Sequence, residues 1–160
     1  MKISKRSQMS LVQFLAMIKP HIDGVQAFED ELTSELESSK LTKEQEIMQS
    51  IANSAQAFKQ DRYDECLRSA RVALETLAKS IVKDKFDKNT KEWHDTIDFL
   101  SQEFLICKEK WLIKNTYGFL SESCHNVLDD EEWARFGRNL AMSMCYYLVK
   151  KVNFSKADLL

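Results

Sequence analysis

The side chains best equipped for chemistry fall together in Ser121-Glu122-Ser123-Cys124-His125-Asn126, a polar run between two stretches of periodic apolar residues. A histidine supplies general acid or base work, while a hydroxyl or thiol becomes a nucleophile only when a base reaches it. Adjacent residues on a helix or strand point in different directions, so Cys124 beside His125 is not a nucleophile–base pair by adjacency. Two readings follow: a capped turn in which His125 bonds backbone carbonyls and Cys124 packs inward, or a binding or catalytic site centred on His125. The following segment adds Arg135, Arg138 and Asn139 at i, i+3 and i+4. On a helix they share a face and could offer two guanidinium groups to a phosphate or carboxylate. Ion pairs to Glu131, Glu132 or a neighbouring helix account for them as well. The candidate catalytic set is therefore His125, Ser121 and Arg138, and the candidate binding set is Arg135, Arg138, Asn139, Glu122 and His125.

Other chemistries find less support. Carboxylate or histidine pairs at helical spacing occur at His125 with Asp129, Asp61 with Glu65, and Glu92 with Asp95 beside His94. No pair repeats across helices as a shared metal site demands, so neither a metal nor a cofactor is expected. Gly24, Gly118 and Gly137 are scattered singly, which excludes a glycine-rich phosphate loop. Lys79, Lys83, Lys85, Lys88 and Lys91 make a locally basic stretch diluted by Asp84, Asp87 and Glu92, at most a weak RNA patch. The cysteines at 66, 107, 124 and 145 lack paired spacing and read as buried free thiols in a reducing compartment.

The elements that must position these residues are helices. Among 160 residues, 44% apolar and 30% charged, only 3 are glycine and 1 is proline, too few to turn many short strands. The length suits one domain: a helical extension over 1–40 and a core bundle over 41–154. A formal charge of -2 gives no global attraction to nucleic acid or anionic membrane. The basic start Met1-Lys2-Ile3-Ser4-Lys5-Arg6 leads into an amphipathic stretch rather than a signal core, and no run approaches 18 apolar residues. A cytoplasmic chain without membrane contact is the expectation.

Apolar residues at three- and four-residue spacing from Leu11 to Leu36 predict a helix kinked near Pro20, or two helices. Thr42 and Gln45 have capping-box spacing ahead of Ile47, Met48, Ile51, Ala55 and Phe58. Asp61 stands where an N-cap would precede Tyr63, Leu67, Ala70, Leu74, Leu77 and Ile81, the most regular stripe in the chain. Its small residues Ser69, Ala70 and Ala73 suit a helix at the bundle centre. Lys83 to Thr90 reads as a connector, and Asn89 with Glu92 as a cap before Trp93, Ile97, Leu100 and Phe104. A break then leads to a helix from about Trp111 to Leu120. The last helix starts after Asp129 or Asp130, with Trp133, Phe136, Leu140, Met144, Tyr147 and Leu148 as its inner stripe.

Two of these segments resemble a known family. The run Tyr63-x-x-Cys66-Leu67-x-x-Ala70-Arg71-x-Ala73-Leu74-Glu75 resembles an early helix of HEPN domains (higher eukaryote and prokaryote nucleotide-binding). Tyr117-Gly118-Phe119-Leu120-Ser121-Glu122-Ser123-Cys124-His125 is similar to the polar turn with a histidine that precedes their last helix. The resemblance implies a bundle of four or five helices that often pairs into dimers and serves prokaryotic defence, with catalytic members that cut RNA without metal. Cleaving members carry an arginine four to six residues before the histidine. Here Phe119, Leu120 and Ser121 stand in that place, so the resemblance implies a non-cleaving relative: an interaction module binding protein, RNA or nucleotide, most simply as a homodimer. A metal-independent ribonuclease using His125 is the alternative.

Overall fold

The computed structural model describes residues 25–121 and 130–157, and among them finds helices and no strand. Six helices follow one another: α1 (Val25–Ser39), α2 (Glu44–Lys59), α3 (Tyr63–Phe86), α4 (Trp93–Glu103), α5 (Cys107–Ser121) and α6 (Asp130–Ala157). The all-α bundle expected from periodicity is what the chain forms. The expected helix or kink before residue 25 lies outside the described residues.

The stripe of α3 sets the arrangement. Ala70, Leu74, Leu77 and Ile81 are wholly buried, and the small side chains of Ala70, Ala73 and Ala78 let neighbours come close. α2, α6, α5 and α4 all pack on α3, so it is the central helix, as its residue pattern predicts. Against it α2 buries Ile47, Ile51, Ser54 and Ala57. α6 buries Ala134, Ala141, Cys145, Leu148 and Val152. Close approach is required at Gly137, where a Cβ would come 2.5 Å from Leu67 Cδ2 and 3.0 Å from Phe119 Cε1. α1 lies along the other flank of α6 with Leu32 and Leu36 fully buried.

Helix ends depart most from expectation, because longer-range partners take the groups that local capping would use. The Thr42 hydroxyl does not cap α2, whose N-cap is Lys43 with no side-chain bond. Instead the Thr42 N–H and hydroxyl both donate to the Asp84 carboxylate on α3, at 2.8 and 2.9 Å. Asp61 is not the N-cap of α3 either; Arg62 holds that position, and Asp61 adopts a left-handed φ of 55°. Lys40 and Asp87 share this conformation, so among the described residues three other than glycine make left-handed turns after helices. Asn89 does not cap α4; Glu92 holds that place without a side-chain bond. α3 runs on to Phe86, shortening the expected connector, and α5 begins at Cys107 rather than Trp111, the break falling at Phe104–Ile106.

Two residues of the expected inner stripe of α6 face outward: Phe136 is 50% exposed and Tyr147 41% exposed. Phe136 still touches the edge of the Phe119 ring, and Tyr147 donates its hydroxyl to Glu109 on α5. Both sit at the margin of the seam with α5, where one flank of a side chain is covered and the other is wet.

Since Leu74 is fully buried at the centre, Leu74→Ala should cost about 2–5 kcal/mol of unfolding free energy in a urea titration. A loss under about 1 kcal/mol would mean that α3 is not the central helix.

Candidate functional site

Ser121 is the last residue of α5, and its hydroxyl donates back to the Tyr117 carbonyl at 2.8 Å. What faces it comes from a helix fifty residues earlier: Arg71 of α3 places Nη1 3.5 Å from Ser121 Oγ. The same guanidinium lies 5.9 Å from the centroid of the Tyr117 ring. That ring stacks on Trp93 of α4 at 4.0 Å, and its hydroxyl donates to Glu75 at 3.1 Å. Glu75 also accepts from Lys79 at 2.6 Å. Burial, then the neighbouring Glu75 carboxylate, push the Tyr117 hydroxyl above its ordinary pKa, so it stays a neutral donor. Arg71 Nε is buried with no hydrogen-bond partner among the described residues. A guanidinium with spare donors therefore stands beside a hydroxyl and a stacked aromatic pair, where α3, α4 and α5 meet.

Arg71 is the residue that the sequence did not single out. Within its own helix it is one more charged residue beside a small-residue stripe, and no local signal pairs it with Ser121. His125, Glu122, Ser123, Cys124 and Asn126 lie outside the described residues, as does the pair His125 with Asp129.

Arg138 has another use. It is 7% exposed, and its Nη2 lies 2.5 Å from the Glu29 carboxylate on α1. The approach is close but poorly directed, since neither Nε nor Nη2 gains a hydrogen bond with good geometry. Its charge also reaches Cys66, where burial raises the thiol pKa and outweighs the lowering pull of a Ser54 bond and of Arg138. Arg135 is exposed, paired with Glu131 at 2.5 Å and set 5.3 Å from the Phe58 ring centroid on α2. The two arginines thus diverge, one toward α1 and one over α2, and do not form a joint phosphate clamp. Asn139 is exposed beside them.

Two lysines of the basic stretch are paired, Lys79 with Glu75 and Lys83 with Asp87, and Lys88 lies over Phe99 at 4.5 Å. Cys66 and Cys145 are buried as expected, with burial pushing the Cys145 thiol up to about 12, but Cys107 is exposed at the start of α5. Among the described residues no three histidine, cysteine or acidic side chains gather as a metal site would need. Nor is any described helix long and apolar enough to cross a membrane.

Two acidic side chains of the outer helices each accept more than one donor from α6. Glu35 of α1 accepts from Lys150 at 2.5 Å and from Asn153 at 2.8 Å. Glu109 of α5 accepts from Lys151 at 2.6 Å, from the Tyr147 hydroxyl and from the Ile106 N–H at 2.8 Å. Several large apolar side chains are exposed on these helices: Ile106, just before α5, and Trp111 and Leu112 within it are 62%, 67% and 42% exposed, and Phe154 of α6 is 68% exposed.

No protein-family model, no curated protein and no solved structure matches this chain.

Two outcomes test these assignments. Glu29→Gln leaves the Arg138 charge buried without its counter-ion and should cost about 3 kcal/mol in chemical denaturation; a neutral substitution would return Arg138 to the pool of free anion-binding groups. The bonds from Lys150 and Asn153 hold the Glu35 carboxyl below its ordinary value of 4.5. At Glu109, burial raises the pKa, but the bonds from Lys151, Tyr147 and Ile106 together outweigh it and the carboxyl also sits low. Both therefore contribute stability that is complete above about pH 4.5 and lost as pH falls through their lower folded values. The double variant Glu35→Gln/Glu109→Gln should show a flatter fall of melting temperature between pH 5 and 3 than the wild type; parallel curves would contradict the assignment.

Proposed function

We propose that this chain is a HEPN-like, non-enzymatic interaction module that works in the cytoplasm as a homodimer, in a prokaryotic defence or regulatory system. The observation that carries the reading is the set of large apolar side chains left exposed on α5 and α6, Trp111 at 67% and Phe154 at 68% among them. Exposed aromatic side chains of this size are the kind that protein interfaces bury. Engagement of Arg138 by Glu29 supports it too, because one of the three candidate catalytic residues is already spent on the fold.

A second reading has an observation of its own. Arg71 reaches Ser121, four residues before His125 in sequence, and is a guanidinium of the kind that cleaving relatives draw from the residues just upstream of the histidine. On this reading the cluster takes an RNA phosphate, Arg71 stabilises the charge that develops on it, and His125 does the acid–base work.

Light scattering of the purified chain and incubation with single-stranded RNA separate the two. The interaction module gives a dimer mass at micromolar concentration and no cleavage, with His125→Ala changing neither. Cleavage that is abolished by His125→Ala and lowered at least a hundredfold by Arg71→Ala would replace the first reading with the second.

A further inference from the structure

α1 is tied to the bundle unevenly. Residues 40–43 join it to α2, yet it packs chiefly along α6, from the opposite end of the sequence. The seam is specific. Leu32 and Leu36 of α1 are fully buried, and the Phe28 ring lies against Tyr146 at 5.2 Å. Carboxylates of α1 meet donors of α6 along its length: Glu29 with Arg138 at 2.5 Å, Glu31 with the Tyr146 hydroxyl at 2.5 Å, and Glu35 with Lys150 at 2.5 Å and Asn153 at 2.8 Å. The joint, by contrast, is narrow. The Ser39 hydroxyl donates to the Leu36 carbonyl at 2.6 Å, so Ser39 belongs to α1. Leu41 is 4% exposed and Thr42 is held by Asp84 of α3, so both belong to the rest of the bundle. Lys40 between them is exposed and left-handed at φ 55°, a conformation in which a Cβ crowds the following carbonyl.

We infer that two copies of the chain exchange α1, each copy's α1 seated on the other copy's α6 about a twofold axis beside the two Lys40 joints. The inference rests on the dimeric reading above and gives it a surface. The stripe of Arg138, Tyr146, Lys150 and Asn153 on α6 already holds a helix that fits it, and a second copy carries that same helix. Exchange therefore keeps every contact of α1 and doubles the seam by symmetry. What changes is the joint. In the closed chain Lys40 turns back left-handed, and in the exchanged pair it leaves that conformation, the situation in which a short connection under strain invites swapping. Reach sets the axis: two residues of extended chain span about 7 Å, so a Ser39 seated on one copy and a Leu41 anchored in the other bring the two joints together. The hairpin of α2 and α3 stays closed meanwhile, because Asp84 holds Thr42 from the far side of the joint.

The test mixes two full-length variants, Glu35→Lys and Lys150→Glu. Each alone sets like charges across its seam, whether α1 is exchanged or not, and should melt below the wild type. After the two are refolded together from urea, an exchanged pair with one chain of each kind has opposite charges in both seams. The mixture should therefore recover most of the lost melting temperature, and native mass spectrometry should find mixed dimers well above the half that random pairing gives. An unexchanged dimer keeps each chain's own mismatched seam and recovers nothing. Lys40→Gly gives a readout independent of these charges: glycine removes the strain from the closed chain, and each dimer has two joints, so the dissociation constant should rise about tenfold. A mixture that melts as its parts do, while both substitutions in one chain restore stability, overturns the exchange and leaves the dimeric reading standing. A dimer whose dissociation Lys40→Gly leaves unchanged does the same. A wild-type chain that stays monomeric up to millimolar concentration overturns both.

Discussion

The close seating of α2 and α6 on α3 is the contact from which the remaining structure follows. Ala70, Ala73 and Ala78 are fully buried, and each keeps the helix surface shallow where a neighbour must cross. Gly137 does the same from the α6 side. Small residues at a helix crossing bring the axes together, and the larger side chains on either side, Leu67, Leu74 and Leu77, then interdigitate rather than collide. Once these three helices are set, α4 and α5 have one flank of α3 left to cover, and α1 has one flank of α6. The cluster of Arg71, Glu75, Tyr117 and Trp93 exists because α3 is long enough to serve α2 and α6 on one side and α4 and α5 on the other.

The polar groups within the bundle divide by role. Asp84 satisfies backbone and hydroxyl donors of the turn between α1 and α2, work that a local cap would otherwise do. Glu35 and Glu109 each collect more than one donor from α6, so each fixes the rotation of an outer helix as well as its distance. Arg138 and Glu29 make a single close contact with poorer direction, which suits a pair retained for the register of α1 on α6 more than for net stability. Arg71 keeps a buried donor that no described residue uses, beside the exposed Ser121.

How much of this was readable in advance depended on the range of the interaction. The helical class and the central place of α3 were legible because a three–four apolar stripe with small residues reports burial directly, through residues a turn apart. Helix starts were legible only approximately: Thr42, Asp61 and Asn89 have the right chemistry for caps, but Asp84 claims Thr42 from forty-two residues away and Asp61 turns left-handed. Spacing puts the start of α5 four residues late because Lys108, Glu109 and Lys110 look like a loop, whereas Glu109 bonds the Ile106 N–H ahead of the helix and Lys151 of α6. Phe136 and Tyr147 belong to the α6 stripe by spacing, yet spacing does not say how wide a groove the neighbour leaves. Arg71 was invisible for the same reason, since its meaning comes from Ser121 and Tyr117 across a helix interface.

The seam between α1 and α6 joins residues about 115 positions apart, with Glu35 meeting Lys150 and Tyr146 meeting Glu31. During synthesis α1 leaves the ribosome long before α6 exists, while the hairpin of α2 and α3 is already able to form from neighbouring residues. Leu32 and Leu36, fully buried in the finished chain, are left without their proper cover for that interval. Translation time therefore sets how long the first helix waits for its cover.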